Sequence, residues 1–462
     1  MKNKPKEPPR IAVKFANMVF VLGILCSILL IVYAIYKIYN LPEPVSPVFY
    51  IFSILCGGVF TTLFGFGLKR LSNKLKVNLS VLLFSVGITV YGFETYLEFF
   101  SRTQNEIRAK QIGVPYDTRT KIEVLDDLRD SGVEAYPNVG PGQHLTDNDK
   151  IIFNLGGISN ITTILSNESG YYPIVETDEH GFNNPKGLYI ESKVDIVLIG
   201  DSFTEGFSVH SNETISAVLR QLDFNVISVG KKGNGSLIEL AALKEYAEPL
   251  KPKIVLWLYC WCDLGELNYE MKSSILRRYL NEDDYSQNLI FRQEEIDGVL
   301  INYAQVEWKK ERLSNIPIKK IPKLYNLRML FNLTPGPTPT PTLALPKSIF
   351  RSILQQSKQM VSKWGGKMYF VYLPDIINYT TDKEIITVGA DATRDFVMQT
   401  LTELEIPIID IHREAFDLHP DSLSLFPLRA SYHYNAEGYR LVAETIEKRL
   451  KAEGYVPIKS EK

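Results

Sequence analysis

The chain has 462 residues and a formal net charge of −2 at pH 7, so it lacks the strongly basic surface that nucleic-acid binding requires. Its length is sufficient for two or three domains. The four cysteines are too few for a disulfide framework. The six histidines are scattered along the chain, and we therefore predict neither a metal site nor a cofactor. Apolar residues are concentrated in the first hundred positions.

Three apolar runs come first, at residues 15–36, 48–66 and 79–99. Each approaches the length of about 20 residues with which a helix crosses a bilayer. Lysine and arginine cluster before the first run and between the second and third, whereas the loop 40–46 has none. Because basic loops stay in the cytoplasm, we expect a cytoplasmic N-terminus and an extracytoplasmic chain after about residue 101. The first run is too long for a signal peptide, and a buried helical core is the alternative.

Residues 101–192 are predicted to form a juxtamembrane helix and a small β-rich lead-in. Short β-like runs occur at 161–165, 171–175 and 188–190. The turn 178–185 contains His180, which we interpret as part of a structural segment at one side of the sheet, with substrate contact as the alternative.

Four consecutive apolar residues, 196–199, predict a buried strand. Gly200, Asp201 and Ser202 interrupt this run, and a helical segment follows from about residue 215. A strand, a sharp turn and a helix present a serine hydroxyl near the positive end of the helix. Ser202 becomes a nucleophile if a base removes its proton. The alternative is that Ser202 only caps the next helix.

This Gly-Asp-Ser stretch resembles the first sequence block of the SGNH hydrolases, also called the GDSL family, and the turn 178–185 resembles the lead-in of their envelope-associated members. The family pattern Asn-x-Gly-x-x-Gly maps onto Ser228, Gly230 and Gly233. The resemblance implies that the amides of Ser202 and Gly233 stabilise an oxyanion. The loop lacks the Gly-Lys-Ser/Thr of a phosphate-binding loop.

The third family block reads Gly-Asn-Asp, and its Asn supplies another oxyanion donor. Asp263 matches the Asp, and Cys262 occupies the position of the Asn. Cys260 and Cys262 are predicted to be too close for easy disulfide closure. Since a thiol is a weak donor, we expect Cys262 to be a poor replacement and consider Asn234 as a substitute.

The final block supplies the base. His433, Asn435 and Gly438 fit the family pattern, with a helix after them. Ala430 and Ser431 stand where the family has the carboxylate that orients the histidine. A backbone carbonyl or Ser431 could orient the ring instead, and the other carboxylates considered are Asp410, Asp417 and Asp421. The alternative is that His433 lies on the surface at the start of a helix.

The family pattern is interrupted at about 265–345, a charged segment that ends in a proline-rich spacer. This insertion is expected to lie over the carboxyl edge of the sheet or to form a mobile loop. Alternating strands and helices predict a three-layer α/β/α sandwich with a parallel sheet, SGNH/flavodoxin-like, over residues 193–462. It would follow a lead-in at 101–192 and a three-helix transmembrane anchor at 1–100.

Two functions remain open from the sequence. The first is a membrane-anchored, extracytoplasmic esterase or O-acyltransferase in which Ser202 and His433 act on an acyl ester. The resemblance implies that an envelope glycan carries the ester. Asp201, Asp263 and Asn435 would support the site. The second is a catalytically degenerate SGNH domain that binds glycan or an envelope-assembly partner.

Overall fold

The computed structural model describes residues 7–40, 47–146, 150–190, 193–331, 346–380 and 383–456. The chain forms two compact units. The first unit contains residues 1–101 and 313–343, and the second contains residues 102–312 and 344–462.

Three long helices dominate the first unit: α1 (Arg10–Tyr39), α2 (Val48–Arg70) and α3 (Asn73–Phe100). All three are long and apolar enough to cross a membrane, as the sequence predicts. Glycine allows them to pack closely, because a Cβ at Gly67 would lie 2.2 Å from the ring of Phe20. Most of their large apolar side chains face outward, which is the arrangement expected of helices surrounded by lipid.

The second unit is built around a five-stranded parallel sheet. Its strands in chain order are β6 (Ile196–Ile199), β7 (Val226–Ser228), β8 (Ile254–Tyr259), β9 (Lys367–Tyr372) and β10 (Ile408–Asp410). Their order across the sheet is β10-β9-β8-β6-β7, and all four pairings are parallel. The direction in which successive strands are added reverses between β6 and β8. Open α/β sheets commonly bind ligands at the carboxyl ends of the strands at such a point. The predicted α/β class with a parallel sheet is confirmed.

Helices cover both faces of this sheet, which explains why its strands are continuously apolar. Val197 and Ile199 of β6 point into one core cluster, and Ile196 and Leu198 point into the other. The helices of the second unit are α4 (Gln104–Ile112), α5 (Lys121–Asp130), α6 (Ser202–Glu205), α7 (Ile215–Gln221), α8 (Ser236–Ala242), α9 (Asp263–Glu270), α10 (Ser274–Asn281), α11 (Gln293–Ser314, whose last residues belong to the first unit), α14 (Lys347–Lys363), α15 (Lys383–Glu403), α16 (Ile411–Glu414) and α17 (Ala436–Ala452).

Two small sheets form the lead-in. Strands β1 (Ala135–Pro137), β4 (Thr162–Ile164) and β5 (Ile174–Glu176) make one, and β2 (Gly142–Leu145) and β3 (Ile151–Asn154) make the other. The run 188–190 is not a strand, contrary to the sequence prediction. Its Tyr189 instead donates a hydrogen bond to the buried Asp178, which holds the segment as a turn.

The insertion is divided between the two units. Its first part, residues 265–312, belongs to the unit that contains the parallel sheet. The following residues belong with the membrane helices and form α12 (Pro317–Lys320) and α13 (Tyr325–Leu330). The proline-rich spacer lies outside the described residues.

Candidate active site

Ser202 and His433 meet at the carboxyl edge of the parallel sheet. Ser202 is the first residue of α6, and Asp201 caps this helix by accepting a hydrogen bond from the Phe203 amide at 2.9 Å. The Ser202 hydroxyl lies 2.8 Å from His433 Nε2, although 231 positions separate the two residues. This distance is within the range in which a histidine takes a proton from a serine.

The carboxylate that orients His433 is Glu168. Its Oε1 lies 2.8 Å from His433 Nδ1, and its Oε2 accepts the His433 backbone N–H at 3.1 Å. Glu168 follows strand β4 in the lead-in, 265 positions before the histidine. The sequence-based search for this group missed it, because a glutamate in a polar turn carries no recognisable pattern.

The carboxylates considered from the sequence are used elsewhere. Two of them form ion pairs, Asp410 with Arg394 and Asp421 with Arg429. Asp417 Oδ1 lies 3.2 Å from His412 Nε2. Ser431 does not orient the imidazole either, since its hydroxyl faces the Glu168 backbone carbonyl at 3.5 Å.

Glu168 is held in its charged form. Burial alone would raise the pKa of this carboxyl, but the hydrogen bonds and the charge of His433 outweigh that effect, and the pKa is lowered. An ionised carboxylate on Nδ1 keeps the proton there and leaves Nε2 free to accept the serine proton. This tautomer is the one that a general base needs.

Aromatic rings fix the position of the imidazole. The centroids of Phe203, Phe207 and Tyr432 lie 4.8, 5.5 and 5.2 Å from that of His433. The surrounding rings exclude water from most of the histidine, which strengthens its hydrogen bonds to Glu168 and Ser202.

Gly233 has the conformation and the open space that an oxyanion donor requires. Its φ of +81° lies in the left-handed region, and the position of a Cβ there meets no atom within 4 Å. Together with the amide of Ser202, which as the first N–H of α6 has no partner inside the helix, it could stabilise a negative oxygen. These two donors remain predictions.

A buried ion pair holds the Gly233 loop against the nucleophile helix. Lys231 Nζ lies 2.8 Å from Glu205 Oε1, and the Lys232 amide donates to Glu205 Oε2 at 2.9 Å. Burial alone would raise the pKa of Glu205, but Lys231 outweighs it and the pKa is lowered. Removing either partner would leave an unpaired buried charge, so the pair fixes the distance between α6 and the loop.

Asn234 is directed away from solvent. Its side chain is buried, and its Nδ2 donates to the Gly200 carbonyl at 2.9 Å. In this structure Asn234 therefore fastens the loop to the end of β6. Its Nδ2 has a second hydrogen, but the side chain is only 1% exposed, and its role as a substitute oxyanion donor stays a prediction.

Cys260 and Cys262 form a disulfide, so the prediction that they are too close to close one is wrong. The intervening Trp261 lies in the turn between β8 and α9, which brings the two Cα atoms to 5.5 Å, a distance at which a disulfide closes. A disulfide sulfur has no hydrogen, so Cys262 cannot donate to an oxyanion as the sequence analysis had considered. It also has no thiolate to offer to a metal.

We expect alkylation to detect this disulfide. Without a reductant, unfolded protein should incorporate iodoacetamide only at the free Cys26 and Cys56, because a disulfide does not react. After reduction, all four cysteines should be labelled. Intact mass spectrometry measures both states, and four labels before reduction would contradict the assignment.

The remaining sequence-predicted residues stabilise the turns around the site. Asp263 Oδ2 accepts the Cys260 amide at 2.9 Å. Asn435 caps α17, with its Oδ1 accepting the Gly438 amide at 3.0 Å. His180 is buried and packs against Tyr189 and Tyr246, which is consistent with the structural interpretation of this residue.

Buried carboxyl groups lie beneath the nucleophile. Burial raises the pKa of Asp201 to about 6, although the charge of His433 acts in the opposite direction. Burial and the charges of Asp201 and Glu270 raise the pKa of Glu239 well above its usual range. The pKa of Asp263 is raised well above its usual range in the same way, by burial and the charges of Glu239 and Asp201.

Glu239 should make the protein less stable as the pH rises. Because its folded-state pKa is above the ordinary value of 4.5, the folded state holds a proton that the unfolded chain has lost, so stability falls as pH rises through this window. Between about pH 5 and 8 the melting temperature should fall in the wild type and in Glu239→Gln. The decrease in the variant should be smaller by a few degrees. Equal decreases in both proteins would contradict the buried-carboxyl interpretation.

No protein-family model matches this chain, and no curated protein matches it. Among solved structures it is similar to the lipase/acylhydrolase from Enterococcus faecalis, with a TM-score of 0.33 and 14% identity over 58% of this chain and 100% of the other. A GDSL-like lipase from Bacteroides thetaiotaomicron gives a TM-score of 0.32 and 10% identity over 58% of this chain and 92% of the other. The acetyl xylan esterase AlAXEase gives a TM-score of 0.32 and 11% identity over 56% of this chain and 100% of the other.

Proposed function

We propose that this chain is a membrane-anchored serine esterase or O-acyltransferase whose catalytic unit lies outside the cytoplasm. The observation that carries the proposal is the continuous hydrogen-bonded series Glu168–His433–Ser202, with both contacts to the imidazole nitrogens at 2.8 Å. Nucleophile, base and orienting carboxylate together are the arrangement that activates a serine for acyl transfer.

The reaction follows from these positions. Ser202 Oγ attacks the ester carbonyl carbon while His433 Nε2 takes the hydroxyl proton, and Glu168 stabilises the resulting imidazolium. The negative carbonyl oxygen would be held by the amides of Ser202 and Gly233. His433 then gives its proton to the departing alcohol, which leaves an acyl group on Ser202. Water or a sugar hydroxyl attacks this acyl-enzyme and loses its proton to His433. As the bond between Ser202 Oγ and the acyl carbon breaks, His433 returns that proton to Ser202 Oγ, and the acyl product is released.

A bulky, ring-shaped substrate such as an acylated envelope glycan is supported by Trp261. Half of its surface is exposed, and its side chain interacts with Tyr432, the neighbour of the catalytic base. The disulfide between Cys260 and Cys262 holds the turn that carries it. An exposed indole that interacts with the neighbour of the catalytic base offers an apolar face against which a sugar ring can pack.

Removing this indole should weaken the reaction with large substrates and leave the reaction with small ones nearly unchanged. In Trp261→Ala we expect KM for an acetylated polysaccharide to rise about tenfold, in line with the loss of a packed aromatic face. The kcat/KM for p-nitrophenyl acetate should stay within about twofold, since that ester does not reach the indole.

The matched control is Phe291→Ala, which removes an aromatic ring that is 82% exposed elsewhere in the same unit. It should change neither reaction. Equal losses on both substrates in Trp261→Ala would instead assign Trp261 a structural role.

The proposed activity is tested with purified full-length protein in detergent. Release of acetate from acetylated oligosaccharide should be measured with and without an unacetylated acceptor glycan. Turnover to free acetate identifies a hydrolase, and acetyl groups on the acceptor identify a transferase. The competing proposal, a degenerate glycan-binding domain, requires polysaccharide binding without turnover. That proposal depended partly on the apparent lack of a triad carboxylate, and Glu168 now weakens it.

A further inference from the structure

The second part of the insertion returns to the membrane helices. We call residues 313–331 the return segment. It belongs to the same compact unit as α1, α2 and α3. Its sequence contains four basic residues and no acidic ones. The basic residues are Lys319, Lys320, Lys323 and Arg328.

Glu94 of α3 fastens the return segment. This carboxylate is 0% exposed. One of its oxygens accepts the Asn326 amide at 2.9 Å and the Asn326 side-chain amide at 3.1 Å, and the other accepts the Leu327 amide at 2.8 Å. Glu94 therefore caps the start of α13, where a negative charge is stabilised by the helix dipole.

Glu98, one turn further along α3, makes a second attachment. It accepts a hydrogen bond from the side chain of Asn326 at 2.8 Å and lies 3.4 Å from Lys320 Nζ. An acidic residue in a membrane-spanning helix is costly unless it is paired. The return segment thus supplies the partners that explain both acidic residues in α3, and it is fixed to the last turns of that helix.

Aromatic residues indicate where the last turns of α3 lie relative to the membrane surface. Exposed tyrosine and phenylalanine side chains are concentrated at this end of α3, which is the composition of a membrane–water interface. They are Tyr91, Phe93, Tyr96, Phe99 and Phe100.

The return segment also has apolar side chains that the described part of the chain leaves more than half exposed. Met329, Leu330 and Phe331 are all more than half exposed, and Phe331 is 63% exposed. Together with the basic residues, they give the segment the composition of a helix that lies in a membrane surface.

We propose that the return segment is a second membrane contact, lying in the headgroup region of the leaflet reached by the end of α3. Met329, Leu330 and Phe331 insert among the acyl chains, and the side chains of Lys319, Lys323 and Arg328 bind lipid phosphates. Two observations favour lipid as the occupant. The segment is hydrogen-bonded to α3, one of three helices long and apolar enough to cross a membrane. The positive charge of Lys319, Lys323 and Arg328 complements anionic headgroups.

The proposed membrane contact gives the catalytic unit a second connection to the membrane. The chain passes between the two units at residues 101–102, 312–313 and 343–344. With the return segment in the headgroups, the catalytic unit is connected to the membrane through the insertion as well as through α3. The inference does not depend on the proposed catalytic activity.

Spin labels at single cysteines test the proposal in the full-length chain reconstituted into vesicles. The background carries Cys26→Ser and Cys56→Ser, and the disulfide-bonded pair is unreactive. Labels are placed with Met329→Cys and Phe331→Cys. The control is Phe291→Cys, which is 82% exposed in the unit that contains the parallel sheet.

We expect labels at 329 and 331 to collide more often with oxygen, which concentrates in lipid, and several-fold less often with a water-soluble nickel chelate than the label at 291. Adding phosphatidylglycerol to phosphatidylcholine vesicles should increase this difference. Nickel collisions equal to those at 291 would overturn the proposal. Protection from both reagents would also overturn it, because it would indicate a protein partner or a second copy of the chain.

Glu94→Ala provides a second measurement. Loss of the cap should increase the mobility of the label at 331 and its access to the nickel chelate. Unchanged spectra would contradict the attachment through Glu94. If this variant does not enter vesicles, the labels in the chain that retains Glu94 still decide the question.

Discussion

Replacing Ser202 by alanine should lower kcat/KM for a small acetyl ester by about 10⁴- to 10⁶-fold. The reason is that the hydroxyl at 2.8 Å from His433 Nε2 is the atom that would form the acyl-enzyme, and the remaining donors alone supply only a residual rate. His433→Ala should cause a similar loss. The double variant should be no worse than either single one, because the two groups act as a unit.

Initial rates of p-nitrophenol release measure this effect. Ser431→Ala is the matched control, since its hydroxyl faces a backbone carbonyl near the site without touching the imidazole, and it should keep activity within a few-fold. Comparable turnover by wild type and Ser202→Ala would remove the proposed nucleophile.

Replacing Glu168 by glutamine should lower kcat by about 10³- to 10⁴-fold. The amide carries no charge to stabilise the imidazolium. Its NH₂ can also donate to Nδ1, which would place the imidazole proton on Nε2 and leave Ser202 without an acceptor. The KM for a small ester should change little, because Glu168 contacts the histidine and not the substrate.

The control for Glu168 is Asp421→Asn. Of the three aspartates considered from the sequence, Asp421 is the nearest to His433 along the chain. It pairs with Arg429. Its replacement should leave kcat within about twofold, because exposed ion pairs contribute little. If Asp421→Asn were the damaging variant and Glu168→Gln the neutral one, the assignment of the orienting carboxylate would be wrong.

The parts of the site that the sequence predicted depend on local patterns. The apolar run 196–199 followed by Gly-Asp-Ser indicates a buried strand and a turn, and His433 is followed by a capped helix. Each pattern specifies its own backbone, and a parallel sheet brings the carboxyl ends of its strands together. This topology, together with the resemblance of the His433 block to the final block of the SGNH hydrolases, predicts that Ser202 and His433 lie at one edge.

Glu168 could not be found in this way. It comes from a polar turn after β4, outside the parallel sheet, and only the packing of the lead-in brings it to His433 Nδ1. Nothing in its neighbours along the chain distinguishes it from the other glutamates of the sequence. From the sequence alone the histidine lacks an orienting carboxylate, because Ala430 and Ser431 occupy the positions where the family has it.

The Cys260–Cys262 pair was misjudged for a related reason. Sequence spacing gives only the number of bonds between two cysteines, whereas closure depends on the backbone of the turn, which is bent here at the end of β8. The sequence of the insertion likewise suggests one charged segment. In the structure, Glu94 and Glu98 of α3 bind the second part of the insertion. Those contacts join residues more than two hundred positions apart, and no local pattern encodes them.

The most direct test of the catalytic series is the rate at which a fluorophosphonate modifies Ser202. This reaction uses the same hydroxyl and the same base but requires no natural substrate. We expect mass spectrometry to locate the adduct on Ser202 in the wild type, and the second-order rate constant to fall by at least about a hundredfold in Glu168→Gln. An adduct on a different residue, or equal rate constants in the two proteins, would contradict the assignment of Glu168, His433 and Ser202 as one catalytic unit.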